Sequence, residues 1–210
     1  MPSKIQCFWL EQTDLVRESL RRFRYTTRGI CKLTFEGYPG AMPHEPCDNA
    51  HNAEQVIVEV RPRVDGDTTR DSEPAEKEDP RWPRSCRCGY QFADDDQWQF
   101  NIRSLFRSTT GALYTLNPDR LGAPVGAMWD AVWYGDHHRG THRNADGRYL
   151  VVRTPAGDWP IDGPSSNCNG DGWQRVGIPP RITVTPSIGF GDPQRMHGWL
   201  RDGVLDLDKP

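Results

Sequence analysis

Trp199-Leu200-Arg201-Asp202-Gly203-Val204-Leu205 sets one apolar pair on each side of an Asp-Gly step. Asp-Gly supplies the positive φ that a tight β-turn requires, so Trp199-Leu200 and Val204-Leu205 are expected to face each other as a hairpin. The same logic extends upstream. Residues 148–153 and 158–162 flank Thr154-Pro155-Ala156-Gly157, a second turn signal. Trp98, Phe100 and Ile102 alternate, Leu105 and Phe106 follow, and Thr109-Thr110-Gly111 turns the chain into 112–116. Residues 181–188 read as a further strand. Twenty glycines and eighteen prolines among 210 residues argue against a helical bundle and for a turn-rich chain.

The N-terminal part reads differently. Residues 5–10 suit a first strand. Thr13 or Asp14 then suits the cap of a helix whose apolar stripe is Val16, Leu20 and Phe23 at i, i+4 and i+7. Arg17, Arg21, Arg22, Arg24 and Arg28 would form its solvated face. Residues 30–35 read as a strand, 37–52 as a loop rich in Pro, Gly, His and Cys, and 55–60 as a strand with Val56, Val58 and Val60 on one face. Pro124, at a first helical turn, begins a second short helix over 124–134. The expected class is therefore α+β but β-rich, with antiparallel hairpins around an aromatic core and one or two helices. Residues 1–60 supply a strand-helix-strand part. Residues 61–81 are a charged linker with only Val64 and Ala75 as apolar side chains. Residues 82–210 form the β-rich region, in one fold with 1–60.

Composition narrows the function. Twenty-six basic against 29 acidic residues give a net charge of −3, without the positive excess that generic nucleic-acid binding draws on. No apolar run approaches the roughly 18 residues of a membrane span. The start, Met1-Pro2-Ser3-Lys4-Ile5-Gln6-Cys7-Phe8-Trp9-Leu10, lacks the apolar stretch and small-residue site of a secretory signal, so a cytoplasmic address is expected. Gly-rich phosphate loops, dinucleotide fingerprints and His-Glu-x-x-His are absent, so no substrate is indicated.

Six cysteines, without a secretory signal, point toward metal binding or inert burial rather than disulfides. Cys86-Arg87-Cys88-Gly89 is the sharpest local feature, because two thiolates one residue apart can face one ion if the chain turns tightly. Tetrahedral Zn²⁺ needs two further N or S ligands. His44, Cys47 and His51 lie in the Pro-rich loop; Cys168 and His197 lie further on; His137, His138 and His142 read as an exposed turn.

Cys86-x-Cys88-Gly89-Tyr90, the strand end Thr183-Val184-Thr185-Pro186-Ser187-Ile188, and His197-Gly198-Trp199-Leu200-Arg201-Asp202-Gly203-Val204 together resemble an uncharacterised family of phage and bacterial proteins. The clear similarity covers about residues 82–206. A longer phage branch is also similar over 17–24, at Trp98, and over 126–133 and 159–168. The resemblance implies a structural zinc held by Cys86, Cys88 and His197. The family often shows a further Cys three residues before that His, where this chain has Gln194, and Cys168 is the substitute fourth ligand. Alternatively Cys47, His44 or His51 closes a site with Cys86 and Cys88.

The expected role is a phage-type, zinc-binding accessory protein that presents a rigid surface to a protein partner among virion or host proteins. Its place is then the cytoplasm of a bacterial host, or the virion. The alternative is a small hydrolase. It uses Cys168 as nucleophile, His197 as base and Asp162 to orient it, with Asn167 donating to an oxyanion, or it uses an open zinc served by Asp94, Asp95 or Asp96. As a simpler role, Asp94-Asp95-Asp96 suits a turn before Trp98.

Overall fold

A computed structural model describes residues 4–25, 50–65, 77–86, 88–116, 122–134, 146–163, 173–190 and 196–207. Among these, the strands in chain order are β1 (Lys4–Gln6), β2 (Phe8–Tyr25), β3 (Ala50–Pro62), β4 (Gln97–Ser108), β5 (Leu113–Tyr114), β6 (Ala127–Asp130), β7 (Leu150–Thr154), β8 (Gly157–Pro160), β9 (Gln174–Ile178), β10 (Arg181–Thr185), β11 (Ile188–Phe190), β12 (Met196–Arg201) and β13 (Val204–Leu207). The chain divides into two compact units. One comprises Met1–Glu11, Arg107–Ala112 and Ala123–Pro210; the other comprises Gln12–Phe106 and Leu113–Gly122. The expected strand at 30–35 lies outside the described residues.

In the first unit, β1, β13, β12 and β11 form an antiparallel sheet in that order. The Asp-Gly hairpin is present, with Leu200 opposite Leu205 and Arg201 opposite Val204. Asp202 at φ 45° and Gly203 at φ 75° take the two left-handed positions of the turn. A separate ladder pairs β9 with β10, and β6, β7 and β8 follow one another antiparallel. Phe8 and Trp9, at the start of β2, pair parallel with Ala127 and Met128. The core of this unit joins Leu150, Val152, Trp159, Ile161, Ile182, Leu200 and Leu205, and Trp173 meets Trp159 edge-on at 5.4 Å. Asp162 and Arg175 are buried beside it as an ion pair at 3.0 Å.

In the second unit, β2 lies between β3 and β4, with β5 outside β4. Here the expected α+β class is corrected to a β architecture. The predicted helix after Thr13 is the middle of β2, paired antiparallel to β3 from Leu15 opposite Pro62 to Tyr25 opposite Ala50. Two features produced the helical pattern. Irregularities between Val16 and Glu18 and between Glu18 and Ser19 break the alternation of period two. Both faces of the strand are also covered, so Val16, Leu20 and Phe23 are all buried without alternating with exposed neighbours. Arg17 and Arg22, expected on a solvated face, are each only 1% exposed. Arg22 lays its guanidinium 3.6 Å from the Trp98 ring centroid and donates to the carbonyls of Ala93 and Pro83. A planar, weakly hydrated cation on a long apolar stem tolerates that position.

The second predicted helix is also corrected. Residues 124–134 contain β6 and, at Val132–Tyr134, one turn of 3₁₀ helix. Gly126 adopts φ +94°, which stops a helix begun at Pro124, and a Cβ there would stand 2.8 Å from the Gln6 carbonyl oxygen. Beyond it Ala127, Met128 and Trp129 are all buried, again without the alternation of a half-exposed strand.

The charged stretch 61–81 opens with the end of β3, and the Arg63 N–H bonds the Asp14 carbonyl at 2.6 Å. Near its other end Arg81 pairs with Asp79 at 2.7 Å. Among the described residues no helix is long and apolar enough to cross a membrane.

Candidate metal centre

Antiparallel pairing of β3 with β2 sets His51 opposite Arg24 and Asn52 opposite Phe23. This register carries His51 toward a tight turn in the segment 84–92. Ser85 bridges antiparallel to Gln91, the Cys86 N–H bonds the Tyr90 carbonyl at 2.8 Å, and the Gly89 N–H bonds the Cys86 carbonyl at 2.9 Å. The chain thus doubles back within four residues, and two side chains one residue apart can serve one point.

The outcome is a group of three donors. His51, Cys86 and Cys88 hold their ligating atoms within 4.8 Å of one another. His51 Nδ1 is 3.3 Å from Cys88 Sγ, and Cys86 Sγ accepts the Asn52 N–H at 3.4 Å. A backbone N–H aimed at sulfur helps to orient it toward a shared point. Cys86 is buried, His51 is half-buried and Cys88 is exposed. Cys7 is the contrast: burial pushes its thiol up to about 12, despite a backbone hydrogen bond with Leu205 that acts the other way. It is a packed, protonated side chain of the core.

Around the donors stands a polar frame. The Tyr90 ring stacks on the His51 imidazole at 3.8 Å with 3° between planes. Its hydroxyl accepts from Arg24 at 3.1 Å and donates to Asp96 Oδ2 at 3.2 Å. Asp96, whose side chain is 1% exposed, also takes the Ala93 N–H at 2.8 Å and an Arg24 N–H at 3.1 Å. The Tyr90 hydroxyl, Asp95 and Asp96 hold the Arg24 guanidinium above its ordinary pKa. Asp94, Asp95 and Asp96 form a turn, closed by the Asp96 N–H on the Ala93 carbonyl at 3.0 Å, as the simpler sequence reading has it.

The other sequence-derived residues have separate settings. His197 is exposed on β12, with Nε2 3.0 Å from Ser187 Oγ and its ring edge-on to Trp199 at 4.8 Å. Asp162 accepts the Leu150 N–H at 2.8 Å and an Arg175 N–H at 3.0 Å, so its carboxylate holds β7 and β9 together. Cys168, Asn167, His44, Cys47, Gln194, His137, His138 and His142 lie outside the described residues. Sequence reasoning did not find the part played by Tyr90, Arg24 and Asp96. Tyr90 stood next to the Cys-x-Cys-Gly run, but its stacking partner is 39 positions away and only the β2–β3 register brings it there.

Comparison with protein-family models, with curated proteins and with solved structures returned no match for this chain.

Proposed function

We propose that this protein is a zinc-binding accessory protein whose metal clasps β3 to the 84–92 turn and holds that region rigid for a protein partner. The observation that carries the metal reading is the convergence of His51, Cys86 and Cys88 within 4.8 Å, from two segments 35 positions apart. Two sulfurs and one imidazole are a donor set that suits Zn²⁺ and disfavours Mg²⁺ and Ca²⁺, which prefer oxygen. The N–H bond to Cys86 supports ligation, because it orients the sulfur. A closed site takes a fourth ligand, and Cys47, four positions before His51, is a donor of the right type. Binding at such a site adds to folding free energy, which suits a chain with many turns. The phage-type family, and with it a virion or host protein as partner in a bacterial cell, rests on the Cys86-x-Cys88-Gly89-Tyr90 and His197–Val204 motifs.

Elemental analysis of the purified chain tests the metal: zinc near one per chain is expected, with a lower melting temperature after chelation. Cys86→Ser should lose the metal, and His51→Ala should bind it more weakly. A zinc-free protein whose melting is untouched by chelator overturns the proposal. Absorption of the Co²⁺-loaded chain separates two roles. Four protein ligands fit the accessory protein, whereas three plus water move the reading to a zinc hydrolase.

A further inference from the structure

Three donors brought near one another do not by themselves make a tight site, because an imidazole on a strand still turns about two side-chain bonds. His51 does not have that freedom. Its ring lies parallel to Tyr90 at 3.8 Å, and the Tyr90 hydroxyl is tied to Arg24 and to the buried carboxylate of Asp96. Asp96 is itself fixed by the Ala93 N–H. The Tyr90 ring is flanked on another side by Phe92, edge-on at 5.7 Å. Each link in this chain fixes the next, from a buried carboxylate to a phenol to a stacked imidazole.

We infer that Tyr90 is the positioning residue of the metal centre: it holds the plane of the His51 ring, in which Nδ1, 3.3 Å from Cys88 Sγ, is the atom presented to the ion. The inference rests on the metal reading above and deepens it by naming the nitrogen presented and the residue that holds its ring. Metal-bound imidazoles are ordinarily oriented by a hydrogen bond at their second nitrogen. Here a stacked aromatic plane supplies the orientation, and the phenol hydroxyl carries the hydrogen bonds that stop the plane from rotating. Asp96 is held by Arg24 and by the Ala93 N–H, and it restrains Tyr90 through the phenol hydroxyl.

The test uses the full chain, with Co²⁺ and Zn²⁺ as probes. Tyr90→Leu should weaken Zn²⁺ binding by about tenfold or more, in line with other groups that orient a metal ligand. Tyr90→Phe keeps the stacked ring but not its hydroxyl anchor, and should cost clearly less than Tyr90→Leu. Long-range ¹H–¹⁵N spectra of the zinc-loaded parent should show His51 metallated at Nδ1 and protonated at Nε2, a pattern that Tyr90→Leu should lose. A double-mutant cycle separates positioning from support of the turn: in a His51→Ala background, Tyr90→Leu should cost little further Co²⁺ affinity. Ligation through Nε2 in the parent overturns the inference. So does a Tyr90→Leu penalty that is absent, that Tyr90→Phe equals, or that persists in full without His51. A parent chain that takes up neither metal sinks the metal reading itself, and this inference with it.

Discussion

Replacing Arg175 by Met probes a buried ion pair of the first unit. The Arg175 side chain is 4% exposed and that of Asp162 is 2% exposed, with Nε to Oδ1 at 3.0 Å and Nε to Oδ2 at 3.3 Å. Met retains most of the volume and the apolar stem, so the cavity contribution is small. What remains is a carboxylate enclosed by the core with the Leu150 N–H at 2.8 Å as its neighbour from β7. Removing one member of a buried pair costs roughly 3–5 kcal/mol, chiefly because the remaining charge loses its ion partner. The second pair of Arg175, with Asp146 at 2.7 Å, adds little, since that carboxylate is 38% exposed and screened by water. In a chain of this size the loss lowers the melting temperature by about 10 °C. Urea unfolding followed by tryptophan fluorescence measures it. Adding Asp162→Asn should return more than half of the loss, because Asn keeps an acceptor for the Leu150 N–H while removing the charge. A single-variant loss below about 1 kcal/mol, or a double variant no better than the single one, refutes the reasoning.

Arg22→Lys should destabilise by roughly 2 kcal/mol in the same assay, since a lysine cannot both stack on Trp98 and reach the Ala93 and Pro83 carbonyls; a change within about 0.5 kcal/mol would fit a solvated position instead. Gly126→Ala combines a strained φ of +94° with a 2.8 Å approach to the Gln6 oxygen, and should cost more than about 1 kcal/mol, read as a lower urea midpoint at unchanged slope. Hydrogen bonding to Arg175 holds the Asp146 carboxyl below its ordinary range. A group so depressed stabilises the fold above its unfolded pKa, and that contribution fades as pH falls through the folded value. Asp146→Asn should therefore make the acid side of the stability profile slightly shallower while leaving the alkaline side parallel to the parent, and an unchanged acid limb would contradict this.

The hairpins were legible in sequence because their information is local. Asp202-Gly203 dictates a backbone conformation, and the neighbouring Leu200 and Leu205 say which face is buried. The strand β2 was not legible, for the opposite reason. Its sides are covered by segments distant in sequence, so its apolar residues fall in no period of two, and the irregularities around Glu18 shift what period there is. A basic residue such as Arg22 reads as solvent-facing until Trp98, 76 positions away, is known to lie beneath it. Residues 124–134 misled through Pro124, whose helix-starting preference is cancelled two residues later by Gly126. The metal centre divides the same way. Cys86 and Cys88 announce themselves by spacing, whereas His51 stood as one of several alternatives, because strand pairing alone selects it.

The chain passes between the two units four times, and two of these crossings fall inside continuous strands, between Glu11 and Gln12 in β2 and between Phe106 and Arg107 in β4. Most proteins with two bodies offer scissors a slack, solvated joint where few backbone bonds are lost. At these two crossings this one offers none: an excision there would truncate a ladder and leave raw amide groups at a new edge. Neither body can therefore be borrowed as an independent cassette by cutting at those points, and recombination that shuffles its halves would have to carry both strands whole.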